Sequence, residues 1–463
     1  MQGARLLLST ASLAILSRLV SPESFGLIAA VMAIVGIGDV LRDMGLSTAS
    51  IQAREITRQQ RSNLFWINTA FGIGFAVFCL GSAPLLGLLI GDDAVVGVVG
   101  VMSVVYVLNG LQTQAQADLT RSYKFLALSG SELIAFALGL AVAIYTAFLG
   151  WEYWALVCQY VVQAAALCAF RMSLVQWLPM KPRRNSGMRP LLRFGLYTTL
   201  VQVVAYAGNN AHNLIIGRAF GVDALGYFAR AYQVYMVPTL QIMNPLSAVA
   251  YSTLSRLQDR LEAFRRSILQ LSLLLGYPIA LICVVIAGTA DAVVEILLGD
   301  GWDESVDILR VLSIGGSVLG LNRAVTWAFT ALGRTREYFH TMLLTRSVLL
   351  GSMLLGLHLG GLSGVAWGFA AGTLSFLPLN ALALSRYLDY LRDYSFVCVR
   401  VLALSAVVGG AVLGVVHFLG GLETSAWLVL AAAFGAAAVS GAASLLLKPY
   451  RDDFAAILSA LRS

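Results

Sequence analysis

The sequence predicts an all-α integral membrane protein of about fourteen transmembrane helices, in two six-helix lobes related by a pseudo-two-fold along the membrane normal, plus two C-terminal helices. Three observations predict it. The 463-residue chain is 59% hydrophobic and 12% charged, with a mean hydropathy of +0.80, against roughly 45–50% apolar and 25% charged residues in soluble domains. Apolar segments of about 18–25 residues recur along its whole length, each long enough to cross about 30 Å of hydrocarbon as a helix. Finally, the decapeptides SRLVSPESFG (17–26) and GRAFGVDALG (217–226) share an arginine, a turn, an acid and an apolar-glycine ending, the trace that an internal duplication leaves.

The apolar segments lie near 2–20, 25–45, 64–90, 94–116, 126–149 and 152–175, then near 194–217, 223–249, 267–289, 306–331, 338–359 and 362–385, and last near 396–419 and 424–447. The first begins almost at Met1, but no small-x-small cleavage site follows it, so it reads as a retained helix and not a signal peptide. Between the sixth and seventh lies QWLPMKPRRNSGMRPLLR (176–193), basic and interrupted by proline, which reads as a linker. The expected organisation is an N-lobe over 1–175, the basic cytoplasmic linker over 176–193, a C-lobe over 194–385, and two helices with a cytoplasmic tail over 386–463. Each lobe starts on the same side of the membrane, which makes the repeat parallel and not inverted. A fainter echo aligns VMSVVYVLNGLQ (101–112) with VLSIGGSVLGLN (311–322).

Charge placement orients the chain. With the N-terminus inside, about 25 of the 31 basic residues fall on inward-facing ends and loops, which is the positive-inside pattern and sets both termini in the cytoplasm. The formal net charge of +7 is thereby explained without nucleic acid. The five cysteines are scattered through apolar helices without metal spacing, and the four histidines have no neighbouring ligand residues, so no metal site and no cofactor is expected. The loops are too short to hold a catalytic domain, and no phosphate-binding loop or nucleophile motif is present, so an enzyme is not expected.

Ionisable and polar residues inside a bilayer are functional candidates by default. In the eighth segment Tyr227, Arg230, Gln233, Gln241 and Asn244 share one helical face, and in the seventh Gln202, Tyr206, Asn209 and Asn213 form a stripe beside Asn210 and His212. A third polar face carries Asn109, Gln112, Thr113 and Gln116; amides of this kind also serve as interhelical glue. Arg42, Arg323 and Arg346 are further intramembrane arginines, with Arg18 and Arg218 read as interface anchors. Arg42, close to Asp39 and Asp43, fits equally a snorkelling residue and one lining a cytoplasmic cavity mouth. Asp39 and Glu132 are the acids deepest in the spans and hence the candidate proton or sodium sites. Arginines outnumber acids, so a cavity lined by them would draw an anion, and the guanidinium fork suits phosphate. The charge balance points to a phosphate-bearing substrate with a polar body.

Several stretches together resemble a known family: SRLVSPESFGLIAAVMAI (17–34), RDMGLSTASIQ (42–52), LIIGRAFGVDALGYFARAYQV (214–234), NPLSAVAYSTLSRLQD (244–259), and LLGDGWDESVDILRVLSIGG (297–316) followed by ALGRTREYF (331–339). They resemble the oligosaccharide flippase, or polysaccharide exporter, family of the multidrug/oligosaccharidyl-lipid/polysaccharide flippase superfamily. The resemblance implies translocation of a lipid-linked oligosaccharide, carried on prenyl pyrophosphate, across the lipid bilayer for exopolysaccharide, capsule or O-antigen assembly, with a polysaccharide polymerase and export machinery as candidate partners. It also implies that Arg42, where the second helix of the family carries an arginine, and Arg230, a looser match, hold the pyrophosphate. Two departures stand out: the N-terminus is shorter than is usual in the family, and Asn209 and Asn210 occupy the region of the seventh helix where many relatives carry an acid. A drug or metabolite antiporter of the same fold and a non-transporting scaffold of a polysaccharide assembly complex remain alternatives.

Overall fold

A computed structural model describes residues 2–36, 56–175, 177, 179–183, 189–420 and 425–462. Asp39, Arg42 and Asp43 lie outside the described residues. Among those described the chain is helical, with no strand, as expected where hydrocarbon leaves backbone groups no partner outside their own helix.

Among the described residues, six helices open the chain: α1 (Gln2–Leu19), α2 (Pro22–Val35), α3 (Arg58–Ile90), α4 (Ala94–Arg121), α5 (Phe125–Phe148) and α6 (Tyr153–Leu174). They are followed by α7 (Arg189–Leu257), whose only non-helical dihedrals are at Gly221. Then come α8 (Leu261–Gly288), α9 (Ala290–Leu297), α10 (Glu304–Gly316), α11 (Leu319–Ala331), α12 (Thr335–Ser385), α13 (Leu391–Gly420), α14 (Ala426–Ser444) and α15 (Lys448–Arg462). Eight of the described helices are long and apolar enough to span a membrane, and the α10–α11 pair, bent by 44°, makes a ninth. Breaks coincide with turn residues. Gly221, with φ of 85°, divides α7 between the seventh and eighth predicted spans, and Gly360 and Gly361 divide α12 between the eleventh and twelfth. A capping box opens α3: Thr57 Oγ1 accepts from Gln60 N at 3.1 Å and Gln60 Oε1 accepts from Thr57 N at 3.0 Å, satisfying two donors a helix start leaves open.

The chain forms two compact units, residues 1–229 and 230–463. In the first, α4 packs on α2, α3, α5 and α6, with α1 against α5. In the second, α8 is the hub, touching α9, α10, α11, α13, α14 and α15. The outermost elements face away from protein: α14 exposes Trp427, Phe434 and Val439, a surface made for lipid tails and not for water.

Glycine sets the closest approaches, and it does so at the repeated sequences. In the first unit the two decapeptides meet each other. A Cβ on Gly26 would collide with the carbonyl oxygen of Val222, and one on Gly226 with that of Pro22. The contact is reciprocal, since residue 22 meets 226 and residue 26 meets 222, which is the signature of a local two-fold relation between duplicated corners. The fainter echo behaves likewise. Gly110 faces the backbone of Asn68 on α3, and Gly320, its partner in the aligned peptides, faces the backbone of Leu275 on α8. Without hydrophobic drive between helices in lipid, small residues that let backbones touch supply the packing.

The tail past α14 is a helix held by one buried acid. Asp453 on α15, only 4% exposed, accepts from Tyr277 Oη at 2.8 Å and pairs with Arg400 Nη2 at 3.0 Å. Burial pushes its carboxyl above the ordinary value, with the hydrogen bond from Tyr277 and the charge of Arg400 pulling the other way. Such a pair fixes where the helix docks more than it adds stability.

The glycine crossing gives a test. Gly226→Val should lower stability in detergent by about 1–3 kcal/mol or block folding, as overpacking against a backbone does, whereas Gly74→Ala, inside a helix with nothing near its Cβ, should hold or raise the thermal unfolding midpoint.

Candidate functional site

In the first unit the polar face of α4 is turned toward a single arginine. Arg171, in the last turn of α6, has a side chain only 4% exposed. Its Nη1 donates to Gln112 Oε1 and to Gln116 Oε1, each at 2.9 Å, and its Nη2 to Glu132 Oε1 on α5 at 2.9 Å. Gln112 Nε2 in turn donates to Asn109 Oδ1 at 2.7 Å, and the other oxygen of Glu132 meets Arg5 Nη1 at 3.3 Å. Four predicted site residues, Asn109, Gln112, Gln116 and Glu132, thus converge on one cation that sequence reasoning assigned to a loop end. The helical spacing of residues 109, 112 and 116 makes convergence possible, because i, i+3 and i+7 share a face. Arg171 itself gives no periodic signal, being a lone cation at the end of an apolar run.

A second knot lies nearby in sequence. Asp118 pairs with Arg61 Nε at 3.3 Å and accepts from Gln114 Nε2 at 3.2 Å and from the indole Nε1 of Trp177 at 2.5 Å, while the Arg61 guanidinium lies 5.4 Å from the Trp177 ring centroid. The described part of the predicted linker is strapped to the start of α3. Trp66 Nε1 donates to Met180 O at 2.8 Å, Gln59 Nε2 to Lys181 O at 3.0 Å, and Asn63 takes both backbone groups of Arg183, donating at 2.7 Å and accepting at 3.0 Å.

On the first arm of α7, Tyr206 Oη donates to Met32 O on α2 at 2.5 Å, and Gly36 leaves the space the hydroxyl occupies. Asn210 Nδ2 donates back to Tyr206 O at 3.0 Å. Gln202 is exposed, Asn213 half-buried and His212 buried against Phe228, ring centroids 5.4 Å apart. Tyr227 is half-buried, and the side chain of Asn209 lies outside the described residues.

The second unit handles its arginines differently. Arg230 is buried and donates through Nη1 to Gln233 Oε1 at 2.6 Å, so two predicted residues of the eighth span meet. Arg323 on α11 and Arg346 on α12 are electrostatic neighbours, and Tyr338 and Tyr232 lie within the field of Arg346. Arg346 sits 5.2 Å from the ring centroid of Phe376, the range of a cation–π contact. Tyr232 stacks edge-on with Tyr235 and Phe369, centroids 5.4 and 5.9 Å away. Among the described residues neither Arg323 nor Arg346 ion-pairs with a carboxylate. Both arginines are half-buried, and among the described residues it is Arg346 that lies against a ring, that of Phe376. Tyr232 and Tyr338 escaped the sequence reading because tyrosine in an apolar helix carries no distinctive pattern. Among the described residues no cluster of three or more His, Cys, Asp or Glu is placed to hold a metal.

The sequence profile described as "Polysaccharide biosynthesis protein" matches residues 15–307. The chain is 22% identical over 371 residues to the lipopolysaccharide biosynthesis protein WzxC of Escherichia coli strain K12, covering 78% of this chain and 74% of that one. It is 25% identical over 338 residues to the teichuronic acid biosynthesis protein TuaB of Bacillus subtilis strain 168, covering 72% and 69%. Its fold is similar to that of the lipid II flippase MurJ in an inward closed conformation, with a TM-score of 0.73 at 13% identity over 96% of this chain and 97% of that one.

The Arg171 cluster can be tested apart from transport. Arg171→Ala should cost roughly 2–4 kcal/mol in thermal unfolding, below the loss for a fully buried pair because Glu132 is 38% exposed. Glu132→Gln should cost less, since an amide still accepts from Arg171, and a double-mutant cycle should return a coupling well above zero.

Proposed function

The chain belongs to the polysaccharide biosynthesis protein family, and on that premise we propose that it flips undecaprenyl-pyrophosphate-linked oligosaccharide repeat units across the bacterial cytoplasmic membrane by alternating access. It is a multi-pass membrane transporter and not an enzyme. The product would feed exopolysaccharide, capsule or O-antigen assembly, with a polymerase and export machinery downstream and both termini in the cytoplasm.

One observation carries the substrate reading: Arg323 and Arg346, on the packed helices α11 and α12, are half-buried and have no carboxylate partner among the described residues. An anion with several oxygens satisfies two forked donors at once. A drug cation would meet repulsion there. Arg230, oriented by Gln233, and Arg42 are proposed to share the pyrophosphate. Tyr206 and Tyr227 would offer ring faces to the sugars, and Gln202, Asn209, Asn213 and Gln116 would offer hydrogen bonds to their hydroxyls. Gln112 and Asn109 act through Arg171, whose guanidinium they orient. For ion coupling, Glu132 is one candidate, and its exposed edge beside Arg5 and Arg171 would let protonation loosen the cluster; Asp39 is the other.

Arg346→Ala and Arg323→Ala, at normal expression, should each lower export roughly 10–100-fold, the worth of one or two charge-assisted hydrogen bonds. The measurement is mass spectrometry of lipids from a deletion strain complemented by each variant. A prenyl-pyrophosphate oligosaccharide should accumulate when the gene is absent or when either arginine is removed, and should clear with the wild-type gene. Lipid and polymer pools unchanged by deletion would sink the proposal.

A further inference from the structure

A trough runs along the first turns of α8, made of two adjoining clefts of 630 and 620 Å³ that share Arg266 and Gln270. Its walls are apolar, from Leu269 and Leu273 on α8, Phe396 and Val397 on α13, and Ala456 on α15. Its rim is charged. Three arginines, Arg260, Arg266 and Arg400, and two carboxylates, Glu262 and Asp393, line it, and the pairing is uneven. Both lining carboxylates are engaged by Arg265 from outside the clefts, Glu262 at 2.8 and 3.1 Å and Asp393 at 2.6 Å. Asp453 is taken by Arg400 and Tyr277. The surplus charge therefore rests on Arg260, which has no carboxylate partner among the described residues, and on Arg266. The side chain of Arg266 is 74% exposed and reaches Glu262 only at 3.4 Å, across the carboxylate already bridged by Arg265.

The depth of the trough follows from its helices. Charges crowd the first turns of α8 and give way, past Ser267, Gln270 and Ser272, to an uncharged and largely apolar run from Leu273 to Gly288, so Arg260 to Arg266 mark headgroup level. The α15 helix, which forms one wall, has exposed Lys448, Arg451 and Asp452 on one side and exposed Phe454 on another, the make-up of a helix lying in the interface. A basic pocket at that depth, with apolar walls leading inward, matches a lipid whose phosphate is anionic.

We propose that this trough binds one anionic phospholipid, with its phosphate between Arg260, Arg266 and Arg400 and an acyl chain along Leu269, Leu273, Phe396 and Val397. The lipid would complete the seam between α8, α13 and α15 that Asp453 begins. It is distinct from the transported molecule, and Arg400, which lines the trough, would meet its phosphate from the α13 side.

The test is native mass spectrometry of the full-length protein in detergent, titrated with dioleoylphosphatidylglycerol or dioleoylphosphatidylcholine. The first phosphatidylglycerol should bind at least roughly tenfold more tightly, given that each basic side chain facing an anionic headgroup is worth roughly fivefold. Arg260→Gln combined with Arg266→Gln removes two exposed charges with little risk to folding and should erase that preference. Ala456→Trp, which fills the trough and alters no charge, should weaken phosphatidylglycerol binding as well. Arg310→Gln, in an ion pair with Asp291 and Asp307 elsewhere in the unit, should leave the preference intact. Equal binding of the two lipids by the wild-type protein, or a preference that survives in the double variant, overturns the proposal. Export in the deletion strain is scored separately, so failure of either proposal leaves the other standing.

Discussion

The close backbone approach allowed by paired glycines is the constraint on which the rest of the structure depends. In water, burying apolar area holds helices together, but in a bilayer the tails are as apolar as leucine and that drive is lost. What remains is contact, and contact is deepest where no Cβ intervenes. Gly26 and Gly226 bring the two duplicated corners into reciprocal touch, and Gly110 and Gly320 do the same work for α4 on α3 and for α11 on α8. The duplication is thus visible as repeated sequence because it is also a repeated packing device. A side chain at any of these positions would separate helices whose polar residues must meet within 3 Å or so to bond at all.

That geometry sorts the intramembrane charges into two kinds. In the first unit they are consumed: Arg171 by two glutamines and Glu132, Arg61 by Asp118 and Trp177. Breaking such a pair costs heavily because it leaves a buried charge uncompensated, while keeping it adds little net stability, so its contribution is chiefly to which helix sits beside which. In the second unit Arg323 and Arg346 pair with no carboxylate among the described residues, and Arg346 lies against the Phe376 ring instead; on the proposed reading their charge is left for a ligand. The same residue type is thus matched by protein partners in one unit and not in the other, and its neighbours decide which.

The sequence carried the architecture further than the site. Apolar runs of membrane length predict most of the described long helices because length and composition are the physical requirement for spanning, and Gly221 and Gly360–Gly361 fall where one predicted span gives way to the next, whereas the expected 306–331 span is a pair of helices bent by 44°. Polar stripes were legible too, since residues 109, 112 and 116 share a face by helical period alone. What those stripes face was not legible. Arg171 looked like a loop cation, and the tail after α14 looked like plain cytoplasmic sequence, although Asp453 docks it as a helix against Tyr277 and Arg400. Pairing across helices depends on their relative rotation, which a one-dimensional pattern does not encode.

A transporter's binding site must also let go, and the arrangement around Arg346 bears on this. Two guanidinium groups in each other's field repel, and an arriving polyanion relieves that repulsion as it binds, so affinity comes in part from relief within the protein. The aromatic walls temper it from the other side. Phe376 already shares the charge of Arg346 through its ring face, an interaction that survives when the anion leaves, so release does not strand a bare buried cation. Had an aspartate stood in place of the ring, it would compete with the ligand's phosphates outright. With neither ring nor acid, the site would grip too well to turn over. In the proposed cycle, arginine beside aromatic is the compromise between capture and release.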